Sequence, residues 1–235
     1  MRVKNLSVFD GKKVLVDALN FTLKEGEITA LIGKSGSGKS LSAMTLLGLT
    51  PANLRSELSL EGDVKFALIM QNPRTAFNQI VSIKTHFLES IKASGAKKSL
   101  DDVVKILADV GLGADTLDRY AFELSGGQLQ RVMIAIALVC EAKFIIADEP
   151  TTSLDLLVQA KILELLSELV KRKNIGILLI THDFSVVAKL ADDVIVMSEG
   201  RIVEQAKSSE IFTKPKHSAT KELLEAHFAL YKDSL

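Results

Sequence analysis

A chain of 235 residues, of which 47% are hydrophobic and 25% are charged, is long enough to bury the core of one α/β domain. Its 29 Lys and Arg residues balance its 29 Asp and Glu residues, so we expect no nucleic-acid partner, which an excess of positive charge would attract. A single cysteine excludes an internal disulfide, the first residues contain no apolar signal-peptide core, and no apolar run approaches the ~20 residues that cross a bilayer. We therefore expect a cytosolic chain whose role at a membrane depends on partner chains.

The first part of the chain predicts strands around a glycine-rich loop. The segments "RVKNLSVF" and "ALNFTL" alternate apolar and polar residues, as half-buried antiparallel strands do. "EITALIG" is a short apolar run that ends in glycine, which is typical of a buried strand that enters a loop. Helical spacing then begins at Lys39 and stops before Pro51. The predicted order is therefore strand, loop, helix.

The rest of the chain alternates between helices and buried strands. After a strand in "VKFALIM", the middle of the chain has mostly helical patterns with polar breaks, which predicts a separate helical subdomain. The apolar runs "KFIIADEP" and "NIGILLITHD" are separated by a long helical pattern, which indicates βαβ units and a parallel sheet. "DDVIVMSEGRIVEQ" predicts a hairpin after them.

The glycine-rich loop has the sequence of a phosphate-binding loop. Gly33, Gly38, Lys39 and Ser40 fit G-x-x-x-x-G-K-[ST] between a predicted strand and a predicted helix, the context that this motif requires. Glycines let backbone N–H groups turn towards phosphate oxygens, and the helix N-terminus adds partial positive charge. The alternative is a glycine-rich turn without chemical function. The predicted nucleotide-binding residues of the loop are Gly33, Lys34, Ser35, Gly36, Ser37, Gly38, Lys39 and Ser40, with Lys39 on the β- and γ-phosphates and Ser40 on Mg²⁺.

Two acidic residues end one of the buried strands. Asp148 and Glu149 lie at the carboxyl end of "FIIADE", the edge at which parallel α/β sheets bind ligands. Asp148 is predicted to hold Mg²⁺ and Glu149 to accept a proton from the water that attacks the γ-phosphate. The alternative is that both acids cap the strand and meet solvent.

A second helix start contains glycines but no lysine. In "ELSGGQLQR", Ser125 and Gln128 make an S-x-x-Q capping box, and Gly126 and Gly127 leave backbone N–H groups uncovered for an anion. The alternative is an ordinary capped helix start. The segment raises the question of why one chain carries two starts of this kind.

The segment "LSGGQ", in order with Lys39, Asp148 and Glu149, resembles the ATP-binding cassette (ABC) ATPases, and the resemblance covers essentially the whole chain. It implies an α/β P-loop NTPase (RecA-like) core with an antiparallel β subdomain and an inserted α-helical subdomain. The implied division of the single ABC ATPase domain, residues 1–235, is 1–72 and 141–205 for the ATP-binding core with the β subdomain, 73–140 for the helical signature subdomain, and 206–235 for a C-terminal helical tail.

The resemblance also implies a head-to-tail dimer. In such a dimer the signature of one protomer, residues Ser125, Gly126, Gly127 and Gln128, closes over the ATP in the phosphate loop of the other. Asp155, which ends "TSLD", matches the loop that crosses between protomers. The missing lysine is then expected, because the partner's phosphate loop supplies that charge.

Further site residues are implied at matching positions. Gln71 in "MQNP" matches the loop glutamine that contacts Mg²⁺ or the attacking water, and His182 in "LLITHD" matches the histidine that binds the γ-phosphate. Phe9 lies at about the distance where the family stacks an aromatic ring on adenine, although a core position explains it equally well. Glu149, His182 and Gln71 are thus the predicted catalytic residues, and Ser40, Gln71 and Asp148 the predicted Mg²⁺ ligands.

The chain has no long coiled coil between Lys39 and Ser125 and only one cassette, so it is expected to be a transport ATPase. The segments "IMQNPRTAFNQI" and "CEAKFIIADEPTTSLD" and the tail "KPKHSATKELLEAH" are similar to the peptide and nickel importer subfamily, with nickel-import ATPases the nearest in pattern. The alternatives are the same role in a di- or oligopeptide importer and an ATP-binding subunit with weak hydrolysis in a mixed pair.

The implied cofactors are ATP and Mg²⁺. The implied partners are a second ABC ATPase subunit, for which a paralogue is favoured, two membrane permease subunits and, indirectly, an extracytoplasmic substrate-binding protein. The implied location is peripheral, on the cytoplasmic face of the inner membrane.

Overall fold

The structure, a computed structural model, describes residues 1–62 and 64–232. Over these residues the strands are β1 (Arg2–Asp10), β2 (Lys13–Thr22), β3 (Ile28–Gly33), β4 (Arg55–Glu61), β5 (Phe66–Ile69), β6 (Phe144–Asp148), β7 (Gly176–Ile180), β8 (Asp193–Ser198) and β9 (Arg201–Lys207). The α-helices are α1 (Lys39–Leu46), α2 (Pro73–Ala76), α3 (Ile83–Ser94), α4 (Leu100–Asp109), α5 (Gly126–Val139), α6 (Leu156–Lys173), α7 (Phe184–Leu190), α8 (Ser208–Thr213) and α9 (Ser218–Lys232). Residues 233–235 of the predicted tail lie outside the described residues.

The larger sheet has the order β5-β6-β7-β3-β8-β9, in which the first five strands run parallel and β9 returns antiparallel to β8. Every residue of β3 and of β7 is buried, as the uninterrupted apolar runs predict for a sheet covered on both faces. Helix α6 connects β6 to β7 as a βαβ crossover. The predicted parallel α/β core and the predicted β8–β9 hairpin are confirmed.

The smaller sheet is antiparallel and has the order β2-β1-β4. The alternating patterns predict β1 and β2 as antiparallel strands, and the structure pairs them with each other, with register shifts near Leu6 and Val8. Strand β4 adds to the other edge of β1. This sheet shares an apolar cluster with one face of the larger sheet, where Leu6 and Leu31 are both buried.

Helices α2 to α5 lie between β5 and β6 in the chain. Helix α5 is buried over most of its length, and its side chains join those of α6 and of the sheet in the largest apolar cluster. The helical region thus packs on the same core as β6 and β7. No helix among the described residues is both long and apolar enough to cross a membrane.

Candidate active site

The phosphate-loop sequence forms the turn between β3 and α1 at the carboxyl edge of the parallel strands. A Cβ added to Gly33 would lie 2.3 Å from the carbonyl oxygen of Met197, so no side chain fits there. Gly38 precedes α1 with φ 102°, a conformation that glycine adopts without strain. The backbone path therefore requires both glycines.

Lys39 is the first residue of α1, and its side chain folds over the loop. Its Nζ donates hydrogen bonds to the carbonyl oxygens of Gly33 at 2.7 Å and Lys34 at 2.9 Å. Burial lowers the pKa of Lys39, while the negative charges of Glu149 and Asp148 oppose this shift. The two carboxylates at the end of β6 thus favour the positive charge of Lys39, and burial disfavours it.

Asp148 is the last residue of β6 and pairs in register with Ile180 of β7. Burial raises the pKa of Asp148, and the charge of Glu149 raises it further. A hydrogen bond with Ser40 and the charge of Lys39 act in the opposite direction. The Asp148 carboxylate and the Ser40 hydroxyl therefore meet, so two oxygen ligands lie together beside the phosphate loop.

Glu149 has its carboxylate held from two sides. Its backbone has φ 49°, unusual for a residue with a side chain, and its N–H donates to the carbonyl oxygen of Ile180 at 2.8 Å. One carboxylate oxygen accepts a hydrogen bond from the Thr152 hydroxyl at 2.6 Å, and the other lies 2.6 Å from Nδ1 of His182. Only 16% of the Glu149 side chain is exposed, against 70% for His182. The contact with Nδ1 leaves Nε2 of His182 for a ligand.

Thr152 did not emerge from the sequence as a site residue. The signal that could have found it is its position three residues after Glu149 in a turn, where a hydroxyl can reach back to the carboxylate.

Gln71 follows β5 and is exposed. Its carbonyl oxygen accepts a hydrogen bond from the hydroxyl of Ser153 at 3.2 Å. This hydrogen bond joins the loop that carries Gln71, here called the glutamine loop, to the loop that follows Glu149. Ser153 is a second residue that the sequence did not single out.

These side chains surround one cavity of about 600 Å³. A cavity of this size is within the range that holds a drug-sized or nucleotide-sized ligand. Its lining residues are Leu15, Gly33, Ser35, Gly36, Gly38, Lys39, Ser40, Leu41, Gln71, Asp148, Glu149, Ile180 and His182. The cavity is therefore lined by loops that are far apart in the sequence.

The signature segment forms the start of α5, outside that cavity lining among the described residues. Ser125 is the N-cap: its hydroxyl accepts from the N–H of Gln128, whose side chain in turn accepts from the N–H of Ser125. A Cβ on Gly127 would lie 2.5 Å from Val158, and one on Gly126 would lie 3.2 Å from Leu154. The glycines therefore allow α5 to approach the start of α6.

Asp155 and Phe9 also lie outside the cavity lining as described. Asp155 caps α6, since its carboxylate accepts from the N–H of Val158 at 3.0 Å. The Phe9 ring is covered by the guanidinium of Arg55, 4.5 Å from the ring centre. The adenine contact of Phe9 and the partner contact of Asp155 stay predictions.

Comparison with known proteins supplies the family. The model of the family described as "ABC transporter" matches residues 16–152, which is more than half of the chain. The chain is 45% identical to "Nickel import ATP-binding protein NikD" of Rhodospirillum rubrum, over 93% of this chain and 90% of that protein. It is 44% identical to the protein of the same name from Brucella abortus, over 96% and 92%, and 42% identical to that from Pseudomonas putida, over 98% and 96%.

Solved structures agree with the fold. "Structure of ATP binding subunit of ABC transporter" has a TM-score of 0.78 and 26% identity, over 97% of this chain and 98% of that one. CbiO1 of Clostridium perfringens, described as part of the ABC transporter complex cbiONQ, has a TM-score of 0.75 and 28% identity, over 91% and 90%. The α/β P-loop NTPase fold, the binding of ATP, its hydrolysis to drive transport and the work with membrane permease subunits follow from this membership. The chain belongs to the ABC transporter family of ATP-hydrolysing subunits.

Proposed function

We propose that the chain is the ATP-hydrolysing subunit of an importer that takes up nickel or a nickel chelate through separate membrane subunits. The observation that carries the catalytic part is the single cavity that joins Lys39, Asp148, Glu149 and His182. The nickel cargo is supported by the three NikD proteins, which are 42–45% identical over at least 90% of both chains.

The phosphate loop binds the triphosphate in this proposal. Gly33, Gly38 and the residues between them present backbone N–H groups, and the N-terminus of α1 adds its partial positive charge. Lys39 exchanges its present carbonyl acceptors, on Gly33 and Lys34, for the β- and γ-phosphate oxygens. The positive charge of Lys39, which already lies over the loop, thus binds the phosphates.

The donor set beside the loop fits Mg²⁺. Among the described residues no group of three or more His, Cys, Asp and Glu side chains could hold a metal ion by itself. Mg²⁺ in nucleotide sites commonly takes one or two protein oxygens together with phosphate oxygens and water. Ser40, Asp148 and the Gln71 amide are the residues that would hold it, and it would neutralise charge on the phosphates. The half-buried Asp148 carboxylate, whose pKa is raised, would gain a cation there.

Glu149 acts as the general base. As the oxygen of the attacking water bonds to the γ-phosphorus and the bond to the ADP oxygen breaks, the Glu149 carboxylate takes the proton of that water. Thr152 and His182 fix the orientation of the carboxylate. His182 contacts the γ-phosphate through Nε2, and Gln71 orients the water or the metal.

The other half of the site comes from a second ATPase subunit, for which we favour a paralogue. Ser125, Gly126, Gly127 and Gln128 approach the partner's ATP, and Asp155 crosses the interface beside them. Leu156 and Leu157 follow Asp155 and are 83% and 77% exposed, which is unusual for leucine and supports an interface at this point. In the complete site Phe9 stacks on adenine at the edge of the phosphate loop.

The membrane subunits dock where the glutamine loop meets α1. A groove of about 250 Å³ lies there, with Met44 and Met70 at its surface, both about two-fifths exposed, and Leu68 inside it. Methionine side chains adapt to apolar partners. The complex has two permeases, and we propose that one of them docks at this groove. This contact places the chain on the cytoplasmic face of the inner membrane, and an extracytoplasmic binding protein acts on the chain only indirectly, through the permeases. In the transport cycle residues 73–140 move as a helical body against a core of 1–72 and 141–205, with 206–235 as the tail.

Uptake by intact cells tests the cargo. In a strain that lacks this chain, accumulation of labelled nickel should fall to the background level and recover when the gene is restored, while uptake of labelled dipeptides should be unchanged. If only dipeptide uptake is lost, the nickel cargo is wrong and the chain serves a peptide importer. A restored gene that carries Lys39→Ala is the matched control, because it should not restore the uptake that was lost.

A further inference from the structure

The tail is anchored to the ATPase core by one partly buried carboxylate. Glu204 in β9 accepts hydrogen bonds from the N–H groups of Lys216 and His217, at 2.9 and 3.0 Å, and from the hydroxyl of Thr220 at 2.5 Å. These donors lie just before α9 and in its first turn, so the carboxylate ties the start of the helix to β9, while Nδ1 of His217 accepts the N–H of Ala219 in the first turn. Glu204 is only 9% exposed. The start of the tail helix is therefore fixed.

The helix then crosses the strand that carries the phosphate loop. Leu224 of α9 is buried in the same apolar cluster as Ala30 and Ile32 of β3. Since β3 ends at Gly33, the packing of α9 on β3 sets the distance between the tail and the loop. The polar face of α9 is brought to the loop by this apolar contact.

One ion pair joins the tail helix α9 to the phosphate loop. The Glu222 carboxylate of α9 lies 2.7 Å from Nζ of Lys34, the second residue of the loop. The backbone carbonyl of the same Lys34 accepts a hydrogen bond from Nζ of Lys39. Lys34 thus connects the tail, through its side chain, with the phosphate-binding lysine, through its backbone.

The contact spans an open groove. A cavity of about 860 Å³ separates this part of the tail from the β8–β9 hairpin, and both Lys34 and Glu222 line it. The Lys34 and Glu222 side chains are 64% and 58% exposed. The pair can therefore open without loss of the packing around Leu224 or of the Glu204 anchor.

We propose that the tail is a brake on nucleotide binding, in which the Glu222 carboxylate competes with the phosphates of ATP for the positive charge of Lys34. The carboxylate neutralises a cation of the loop and adds a negative charge beside the loop that must bind an anion, on the side of the 860 Å³ cavity. Because linkage is reciprocal, bound ATP weakens the contact between Glu222 and Lys34, so the tail responds to the nucleotide. This inference rests on the nucleotide site proposed above and adds a regulatory contact to it.

Nucleotide affinity of single and double variants tests the brake. Binding of the Mg²⁺ complex of the non-hydrolysable analogue AMP-PNP to the full chain is measured by calorimetry at 50 and 500 mM NaCl. We expect Glu222→Gln to tighten binding about two- to fivefold at low salt, the size typical of an exposed ion pair, and the gain to shrink at high salt. Glu225→Gln is the matched control, since it removes the same charge from the same exposed helix.

The double variant Lys34→Gln/Glu222→Gln separates the ion pair from a general charge effect. In the Lys34→Gln background, Glu222→Gln should have no more effect than Glu225→Gln. Equal tightening in both backgrounds, or no difference between Glu222→Gln and Glu225→Gln in the otherwise unchanged chain, would overturn the brake and leave the nucleotide site intact. A chain that binds no more analogue than its Lys39→Ala variant would overturn the nucleotide site itself.

Discussion

Glu149 combines a left-handed backbone with a carboxylate fixed by two neighbours. Strained backbone of this kind is common at active sites, where surrounding contacts hold it. The N–H bond to Ile180 and the side-chain contacts with Thr152 and His182 supply those restraints. At the scale of single residues, the orientation of the proposed base is therefore set by Thr152 and by His182, which we also propose as a contact of the γ-phosphate.

We expect Thr152 to act as a positioning residue in this arrangement. Thr152→Val removes the hydroxyl that holds one Glu149 oxygen, which is worth about 1 kcal/mol, so we expect kcat to fall about fivefold with KM for ATP unchanged. Thr152→Ser keeps the hydroxyl and should restore kcat. Steady-state ATP turnover of the assembled complex measures both, and a normal kcat for Thr152→Val would remove Thr152 from the mechanism.

Asp148 predicts a pH-dependent change in stability. Burial raises its folded-state pKa, so its contribution to stability is present below the unfolded pKa and is lost as the pH rises through the folded pKa. At neutral pH the ionised carboxylate disfavours folding, and we expect Asp148→Asn to raise the melting temperature at pH 8 in EDTA.

The gain from Asp148→Asn should shrink as the pH falls towards about 4, near the pKa of an unperturbed aspartate. Circular dichroism during thermal unfolding measures the melting temperature at each pH, with Asp118→Asn at an exposed turn as the control. A gain that is independent of pH, or a loss at pH 8, would show that the Asp148 carboxylate is already well compensated.

At the scale of elements, the start of α5 is the helix start that we propose to meet a partner's nucleotide. Its capping box, Ser125 with Gln128, has a close counterpart at α4, where Ser99 and Asp102 make the same pair of hydrogen bonds. Both satisfy backbone donors, but only α5 presents two glycines beside the cap. This pair of helices allows capping to be separated from partner recognition.

Ser125→Arg should block the closed dimer without harming the chain's own nucleotide site. The substitution removes an N-cap, which costs about 1 kcal/mol, and fills the surface where the partner's ATP would lie. We expect analogue binding by the isolated chain to be unchanged and ATP-dependent dimerisation to be lost. Ser99→Arg loses the same kind of cap and should still dimerise.

Light scattering after size exclusion measures dimerisation, with Mg²⁺ and ATP and with the partner cassette present. The background is Glu149→Gln, which slows hydrolysis. If Ser125→Arg and Ser99→Arg dimerise equally, the signature does not meet a partner's nucleotide.

Sequence patterns predicted the elements whose signals are local. The S-x-x-Q spacing predicted the cap of α5, and the apolar runs predicted β3, β6 and β7. The anchoring of α9 by Glu204 was not predictable, because two of the three donors, at Lys216 and His217, are backbone groups that carry no side-chain signal. The addition of β4 to β1 was also missed, because Leu58 and Leu60 alternate with polar residues over only part of a short and mostly exposed segment.

At the scale of the whole molecule, the sheet order assembles the cavity. Strand β7 lies between β3 and β6, so the phosphate loop, the carboxylates and His182 reach one edge although they are far apart in sequence. The family resemblance predicted which residues meet there, whereas spacing alone could not give the strand order. The cavity contains no signature residue of its own chain in the described structure, which agrees with a site completed by a second subunit.

The most direct test of this account is ATP turnover of the assembled complex, with wild-type chain and with Glu149→Gln. We predict that Glu149→Gln binds ATP as tightly as the wild type and lowers turnover by about 10²- to 10⁴-fold, the usual contribution of a general base. Equal turnover by the two complexes, with the partner cassette inactivated in both, would contradict catalysis by Glu149 and leave the chain as an ATP-binding subunit.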